Sequence, residues 1–121
     1  MATVLIIDDS PTELHLFQSM LEKAGFETLV ADSGEEGIQK AATAHPDGIL
    51  MDVVMPGMKG VQATRQLTKD PATANIPVIM ITTKDQETDK IWGMRQGAVE
   101  YLVKPVADKE LVAKIHSVMA A

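Results

Sequence analysis

The sequence predicts an α/β fold: a doubly wound, five-stranded parallel sheet with a helix after every strand. Two observations predict it. Apolar runs of strand length (VLII, ILM, VIMI and YLV) alternate with stretches whose apolar residues recur every three or four positions. Capping residues and helix breakers fall at the junctions between the two patterns. Regular alternation of this kind calls for right-handed crossovers, which put helices on both faces of a parallel sheet.

Each element has its own signal. Val4–Ile7 is the first strand. Ser10 then offers a helix N-cap, Pro11 suits the first helical position, and Glu13 completes a capping box. Leu14, Phe17 and Leu21 continue at helical spacing until Gly25 stops the helix. Glu27–Ala31, of mixed polarity, suits an edge strand. Ser33 and Glu36 repeat the capping-box spacing before a helix carrying Ile38, Ala41 and Ala42, which His45, Pro46 and Asp47 end. Ile49–Met51 is the third strand. Pro56, Gly57 and Gly60 bracket a loop, Val61, Thr64 and Leu67 begin a helical face, and Pro71 closes that unit. Val78–Ile81 is the fourth strand, and a helix from Gln86 to Gln96 follows, with Gly97 at its end. Tyr101–Val103 is the fifth strand. Asp108 caps a last helix with Leu111, Val112, Ile115, Val118 and Met119 on one face.

The 121 residues suffice for one core without staples, so residues 1–121 are expected to form a single domain with no second domain attached. There is no cysteine, which excludes disulfides and thiolate zinc sites. No segment reaches the ~20 apolar residues of a membrane helix, and no basic-then-apolar leader opens the chain. A cytoplasmic location without membrane insertion is expected. The formal net charge of −6 would repel a phosphate backbone, which argues against nucleic acid as a partner.

Chemistry concentrates where the apolar runs stop. Asp8 and Asp9 follow the first strand, Asp52 the third, Thr82 the fourth and Lys104 the fifth. In an open parallel sheet, ligands bind outside the carboxyl ends of the strands where strand order reverses, which is between strands one and three if the order is 2-1-3-4-5. Three carboxylates gathered there repel one another unless neutralised. Lys104 is one neutraliser, and a divalent cation is the other. All-oxygen ligation favours Mg2+, with Asp9 and Asp52 as direct ligands, Asp8 acting through a bound water, and the Val54 backbone carbonyl filling a further position. A carboxylate so placed can attack a phosphoryl group and form an acyl phosphate. Lys104 and the Thr82 hydroxyl would then each pair with a phosphoryl oxygen. Singly, each residue has a plainer reading: the Asp pair and Asp52 as turn residues, Thr82 and Thr83 as helix caps, Lys104 as an exposed lysine. Their joint occurrence at successive strand ends favours the site.

The segments IIDDS, MDVVMPGMKG, ITT and YLVKP, in this order and at this spacing, resemble the receiver domains of two-component response regulators, of the CheY type. The resemblance runs from Thr3 to Met119. It implies the strand order 2-1-3-4-5, that Asp52 accepts phosphate, that Asp8 and Asp9 hold Mg2+, and that Thr82 is a switch hydroxyl. It also implies a cis bond between Lys104 and Pro105, and an aromatic at Tyr101 that turns inward on activation. The segments VMPGMKGVQATRQLTKD and TTKDQETDKIWGMRQGA are most similar to regulators of the PilH type, which act in type IV pilus twitching motility.

Three neighbours depart from the usual receiver pattern or tune it. Thr83 stands where a smaller residue is usual, which narrows access for a phosphodonor. Val54 and Lys84 stand two positions after Asp52 and Thr82. The Val54 side chain cannot hydrogen-bond an attacking water, so slow self-dephosphorylation is expected unless Lys84 compensates.

The resemblance further implies a histidine kinase of the chemotaxis type as phosphate source. A downstream protein would be contacted through the fourth helix, fifth strand and fifth helix, around Trp92 and Tyr101. A monomer is expected. Trp92 can equally be a packing residue. His15, His45 and His116 share no ligand spacing and read as surface residues. Two other functions compete with a phosphoacceptor switch, which is not an enzyme. One is a Mg2+-dependent phosphohydrolase with an aspartyl nucleophile, although Val54 stands where such enzymes carry a second Asp. The other is a receiver-shaped binding module that never uses phosphate.

Overall fold

The computed structural model describes residues 2–55, 57–84 and 86–119. Five strands and five helices alternate: β1 (Thr3–Ile7), α1 (Pro11–Lys23), β2 (Glu27–Ala31), α2 (Gly34–Ala44), β3 (Gly48–Asp52), α3 (Gly60–Lys69), β4 (Val78–Thr82), α4 (Glu87–Arg95), β5 (Glu100–Val103) and α5 (Asp108–Met119). The strands are parallel, as the alternation predicts, and ordered β2-β1-β3-β4-β5, as the resemblance implies.

Side chains alternate across the sheet because strand period is two. Val4, Ile6, Leu50, Ile79, Ile81 and Leu102 meet Phe17 and Leu21 of α1 and Leu111 and Ile115 of α5 on one face. Leu5, Ile7, Ile49, Met51 and Val78 meet Ala41 of α2 and Ala63 and Leu67 of α3 on the other. Each large aliphatic side chain so buried contributes roughly 1.5–3 kcal/mol. A smaller third cluster, Val53, Met80, Ala98 and Tyr101, lies beside α4. That helix buries only Gly93.

Several boundaries differ from the sequence expectation, for physical reasons. Backbone pairing carries β3 to Asp52 and β4 to Thr82, one residue beyond the last apolar position of each. Both polar residues therefore belong to the ladder, with Asp52 opposite Ile81 and Thr82 opposite Val103. Helix α4 starts at Glu87 with Gln86 as its N-cap and stops at Arg95. Thr82 and Thr83 thus do not cap it. Asp108 is the first residue of α5 rather than its cap, because the Leu111 N–H is accepted by the Ala107 carbonyl. Ser10 accepts from the Glu13 N–H at 3.3 Å, but its own N–H goes to Asp8 Oδ1 at 3.0 Å. Glu13 does not close the predicted box; its carboxylate turns elsewhere. At α2 the Ser33 half of the predicted box forms, while the Glu36 carboxylate takes the Asp32 N–H.

The loop after β3 is shaped by two glycines. Gly57 has φ +72, a backbone region that side chains disfavour. Gly60 donates to the Val53 carbonyl at 3.1 Å, and a Cβ there would run into the Asp52 carbonyl oxygen. Pro56, expected in this loop, lies outside the described residues.

Candidate functional site

Register alone brings the acids together. Ile7 pairs with Met51, so Asp8 and Asp52, the next residues on adjacent strands, lie side by side at the carboxyl edge of the sheet. Asp9 follows Asp8, and carboxylate oxygens of Asp8, Asp9 and Asp52 all lie within 4.8 Å of one another. Asp8 and Asp52 are buried, whereas Asp9 is exposed.

Lys104 answers this charge. Its Nζ lies 3.2 Å from Asp8 Oδ2, 3.6 Å from Glu13 Oε1 and 3.8 Å from Asp52 Oδ1, above the Phe17 ring. The Lys104–Pro105 peptide is cis. Burial works to lower the Lys104 pKa, but the Asp52 and Asp8 charges outweigh it and hold the ammonium above its usual range. Burial, together with the Asp8 charge, pushes the Asp52 carboxyl up to about 6, against the opposing pull of Lys104 and the Val54 backbone N–H. Two buried like charges beside one cation leave this carboxyl under-neutralised, which is the physical condition for recruiting a further cation.

Glu13 is the residue that sequence reasoning misses. Its spacing after Ser10 has a complete local explanation as a capping box, so nothing in the pattern points toward Lys104. A signal was nonetheless available: the first turn of α1 opens directly from the Asp8–Asp9 strand end, where any long carboxylate can reach the site.

Thr82 is fully buried, and its hydroxyl accepts the Lys84 N–H at 3.2 Å. The Tyr101 hydroxyl donates to the Lys84 carbonyl at 3.0 Å, with the ring nearly buried. Both predicted switch residues therefore hold one residue, Lys84. Tyr101 already lies inside, where an inward turn on activation was expected.

A match to the response regulator receiver domain covers residues 4–116. The chain belongs to this family. It is 57% identical to the PilH protein of Pseudomonas aeruginosa over 120 residues, covering 99% of both chains. It is 34% identical to the alkaline phosphatase synthesis transcriptional regulatory protein PhoP of Bacillus subtilis over 116 residues, 48% of that protein. Among solved structures it superposes on the chemotaxis protein CheY4 of Vibrio cholerae with a TM-score of 0.92, at 33% identity and 98% coverage of both chains.

The receiver's acid pocket fits a hard divalent cation on its own chemistry. It offers three carboxylates with oxygens within 4.8 Å of one another, an all-oxygen donor set of the kind that Mg2+ takes. The Val54 backbone presents its N–H to Asp52, while its side chain is 52% exposed. Thr83, also exposed, shares with Glu13, Leu16, Phe17, Lys104, Pro105 and Val106 a hollow of about 260 Å³ on the Lys104 side of the receiver. Lys84 is exposed as well.

On the other side, Trp92 and Tyr101 line a groove of about 760 Å³ with Val61, Gln62 and Arg65 of α3. Trp92 is 51% exposed, which overturns its reading as a packing residue. The groove it lines opens toward α3, whereas the expected surface ran toward α5. His15, His45 and His116 are exposed, and His116 stacks obliquely on Phe26. No described helix is long and apolar enough to cross a membrane.

Proposed function

We propose that this response regulator is a phosphoacceptor switch in which Asp52 takes a phosphoryl group from a histidine kinase of the chemotaxis type. One observation carries the reading: a nearly buried carboxylate ends β3 beside two further acids, with an ammonium 3.8 Å away. An Asp52 oxygen forms the new bond to phosphorus, the phosphorus–nitrogen bond of the phosphohistidine breaks, and the imidazole leaves with a proton. Asp8, Asp9, Asp52 and the Val54 carbonyl hold Mg2+, which when bound neutralises the gathered negative charge. Lys104 pairs with one phosphoryl oxygen. The Thr82 hydroxyl leaves the Lys84 N–H to pair with another, and Tyr101, tied to the same residue, senses the move.

The output is a protein contact through α4, β5 and α5, where Trp92 stands exposed. Identity to PilH supports a role in type IV pilus twitching motility or chemotaxis. The protein acts as a cytoplasmic monomer, binds no nucleic acid, and is not an enzyme: its only phosphoryl chemistry is on itself. Val54, where an aspartyl phosphohydrolase would carry an acid, speaks against turnover of external esters.

The test is incubation with Mg2+ and a small phosphodonor, followed by intact mass and Trp92 fluorescence. One phosphate per chain, absent in Asp52→Ala, is expected. Continuous turnover of phosphate esters would favour the phosphohydrolase. No modification by small donor or cognate kinase would favour a binding module.

A further inference from the structure

Three ion pairs meet at Lys104, and one of their acids has no part in the scheme above. Glu13 Oε1 is 3.6 Å from the ammonium, slightly nearer than Asp52 Oδ1 at 3.8 Å. The Glu13 side chain is 32% exposed, whereas those of Asp8 and Asp52 are 3% and 8% exposed. Glu13 therefore stands at the mouth of the site, on the first turn of α1, with the lysine between it and Asp52. Its capping role is unfilled, because the Ser10 N–H is taken by Asp8. Its carboxylate lines the hollow shared with Thr83 and Pro105, through which Lys104 is reached from solvent.

We propose that Glu13 is a positioning residue that competes with the phosphoryl group for Lys104, and so sets how strongly this receiver holds phosphate. The inference rests on the phosphoacceptor reading and deepens it. The physics is a contest for one ammonium. With Asp52 unmodified, Lys104 is shared among three carboxylates, and Asp8 takes the closest place. A phosphoryl group raises the charge on Asp52 to about two units and adds strong acceptors. Of these acids only Asp8 is within hydrogen-bond distance of the ammonium, so a phosphoryl oxygen that takes a second donor draws Nζ toward Asp52 and away from one of its other partners. Asp8 is buried, and leaving it unpaired is costly. Glu13 is part-exposed, and water can replace its lysine contact. Glu13 is thus the partner that yields, and its negative charge beside the phosphoryl oxygens weakens the bound state.

The proposal separates from two others. A helix-terminus role would make Glu13 stabilising through the α1 dipole, with no effect on the phosphoryl contact. A role as base for the attacking water would change hydrolysis but not the binding of a mimic that cannot hydrolyse.

The experiment compares wild type, Glu13→Gln and Glu13→Asp at saturating Mg2+. Affinity for beryllofluoride is read by fluorine NMR, lifetime after acetyl phosphate by intact mass, and thermal stability by calorimetry. Glu13→Gln should bind beryllofluoride about threefold to fivefold more tightly, the scale of a part-exposed ion pair, and lengthen the phosphoryl lifetime. Its melting temperature should stay level or fall slightly, a direction opposite to the gain in affinity. Glu13→Asp should restore part of the wild-type weakness, since it keeps the charge. Unchanged or weaker beryllofluoride binding in Glu13→Gln would overturn the proposal, even with a longer lifetime, because Glu13 would then act on water. If wild type itself takes up neither beryllofluoride nor phosphate, or if Asp52→Asn still takes up phosphate, it is the phosphoacceptor reading that fails.

Discussion

Lys104 is paired first with Asp8, at 3.2 Å, and only more loosely with Asp52, at 3.8 Å. The lysine comes from the end of β5 and crosses over β4 and β3 to reach the start of the β1–α1 loop. It closes the sheet's carboxyl edge by charge and by the hydrogen bond it donates to Asp8. Removing it leaves two buried carboxylates with no countercharge from the chain. Lys104→Ala should therefore lose about 2–4 kcal/mol in metal-free urea unfolding. Mg2+ should stabilise this variant more than it stabilises wild type, because the cation then supplies the missing charge. Equal stabilisation of both proteins would show that ammonium and metal do not share a function.

The Asp52 carboxyl, raised to about 6 from an unfolded value of 3.8, makes metal-free stability depend on pH. Between those values the folded chain holds more protons than the unfolded one. Its stabilising contribution is full below 3.8 and is lost as pH rises through about 6. At neutral pH the ionised Asp52 is thus a cost. Asp52→Asn should be more stable than wild type by about 1–3 kcal/mol at pH 7.5, with the gap closing toward pH 4. Mg2+ affinity in wild type should fall below pH 6, where protons compete for the same oxygens. A gap independent of pH would mean that Asp52 ionises as freely as in an open chain.

The reach of sequence reasoning follows from what each residue is fixed by. Asp8, Asp52, Thr82 and Lys104 were legible because a buried parallel strand is continuously apolar and stops abruptly. Their shared edge then follows from the topology. Asp52 and Thr82 being inside their strands was not legible, since backbone pairing ignores polarity. Glu13 was hidden by a competing local motif, and its partner lies far along the chain. Trp92 could not be placed because Ile91, Trp92 and Met94 form no single helical stripe, and α4 buries only Gly93. Where periodicity fails, only packing decides which way a side chain faces.

Lys84 is the node through which the two predicted switch residues communicate, and its two backbone groups can be tested separately. Tyr101→Phe removes the hydroxyl that donates to the Lys84 carbonyl and should cost about 0.5–1.5 kcal/mol. Thr82→Val removes the acceptor of the Lys84 N–H. Amide exchange at Lys84 should then quicken in Thr82→Val and stay near wild type in Tyr101→Phe. Equal exchange in both variants would mean that the loop, rather than the Thr82 hydroxyl, protects that amide.

Gly60 fixes the loop that carries Val54. A methyl group at this position would meet the Asp52 carbonyl oxygen and the Val53 Cα, which are backbone atoms that cannot turn aside. Gly60→Ala should cost about 2 kcal/mol or more and weaken Mg2+ binding, measured by unfolding and by calorimetric titration. A variant with wild-type stability would show that the loop relaxes without strain.

Val54 faces solvent at 52% exposure, next in line to the acceptor's own loop, and it has no group that can hold a water molecule. Hydrolysis of an acyl phosphate on Asp52 needs water aligned opposite the aspartyl oxygen. A side-chain amide two residues on from Asp52 could supply that alignment, whereas an isopropyl group supplies only bulk. Val54→Asn should therefore shorten the phosphoryl lifetime, by about tenfold if one positioned hydrogen bond is gained in the transition state. Because Val54 is exposed, the fold should tolerate the exchange within about 0.5 kcal/mol. Lifetimes are read by intact mass after donor removal at saturating Mg2+. A lifetime unchanged or lengthened in Val54→Asn, with stability intact, would place rate control elsewhere, on Lys84 or Thr83.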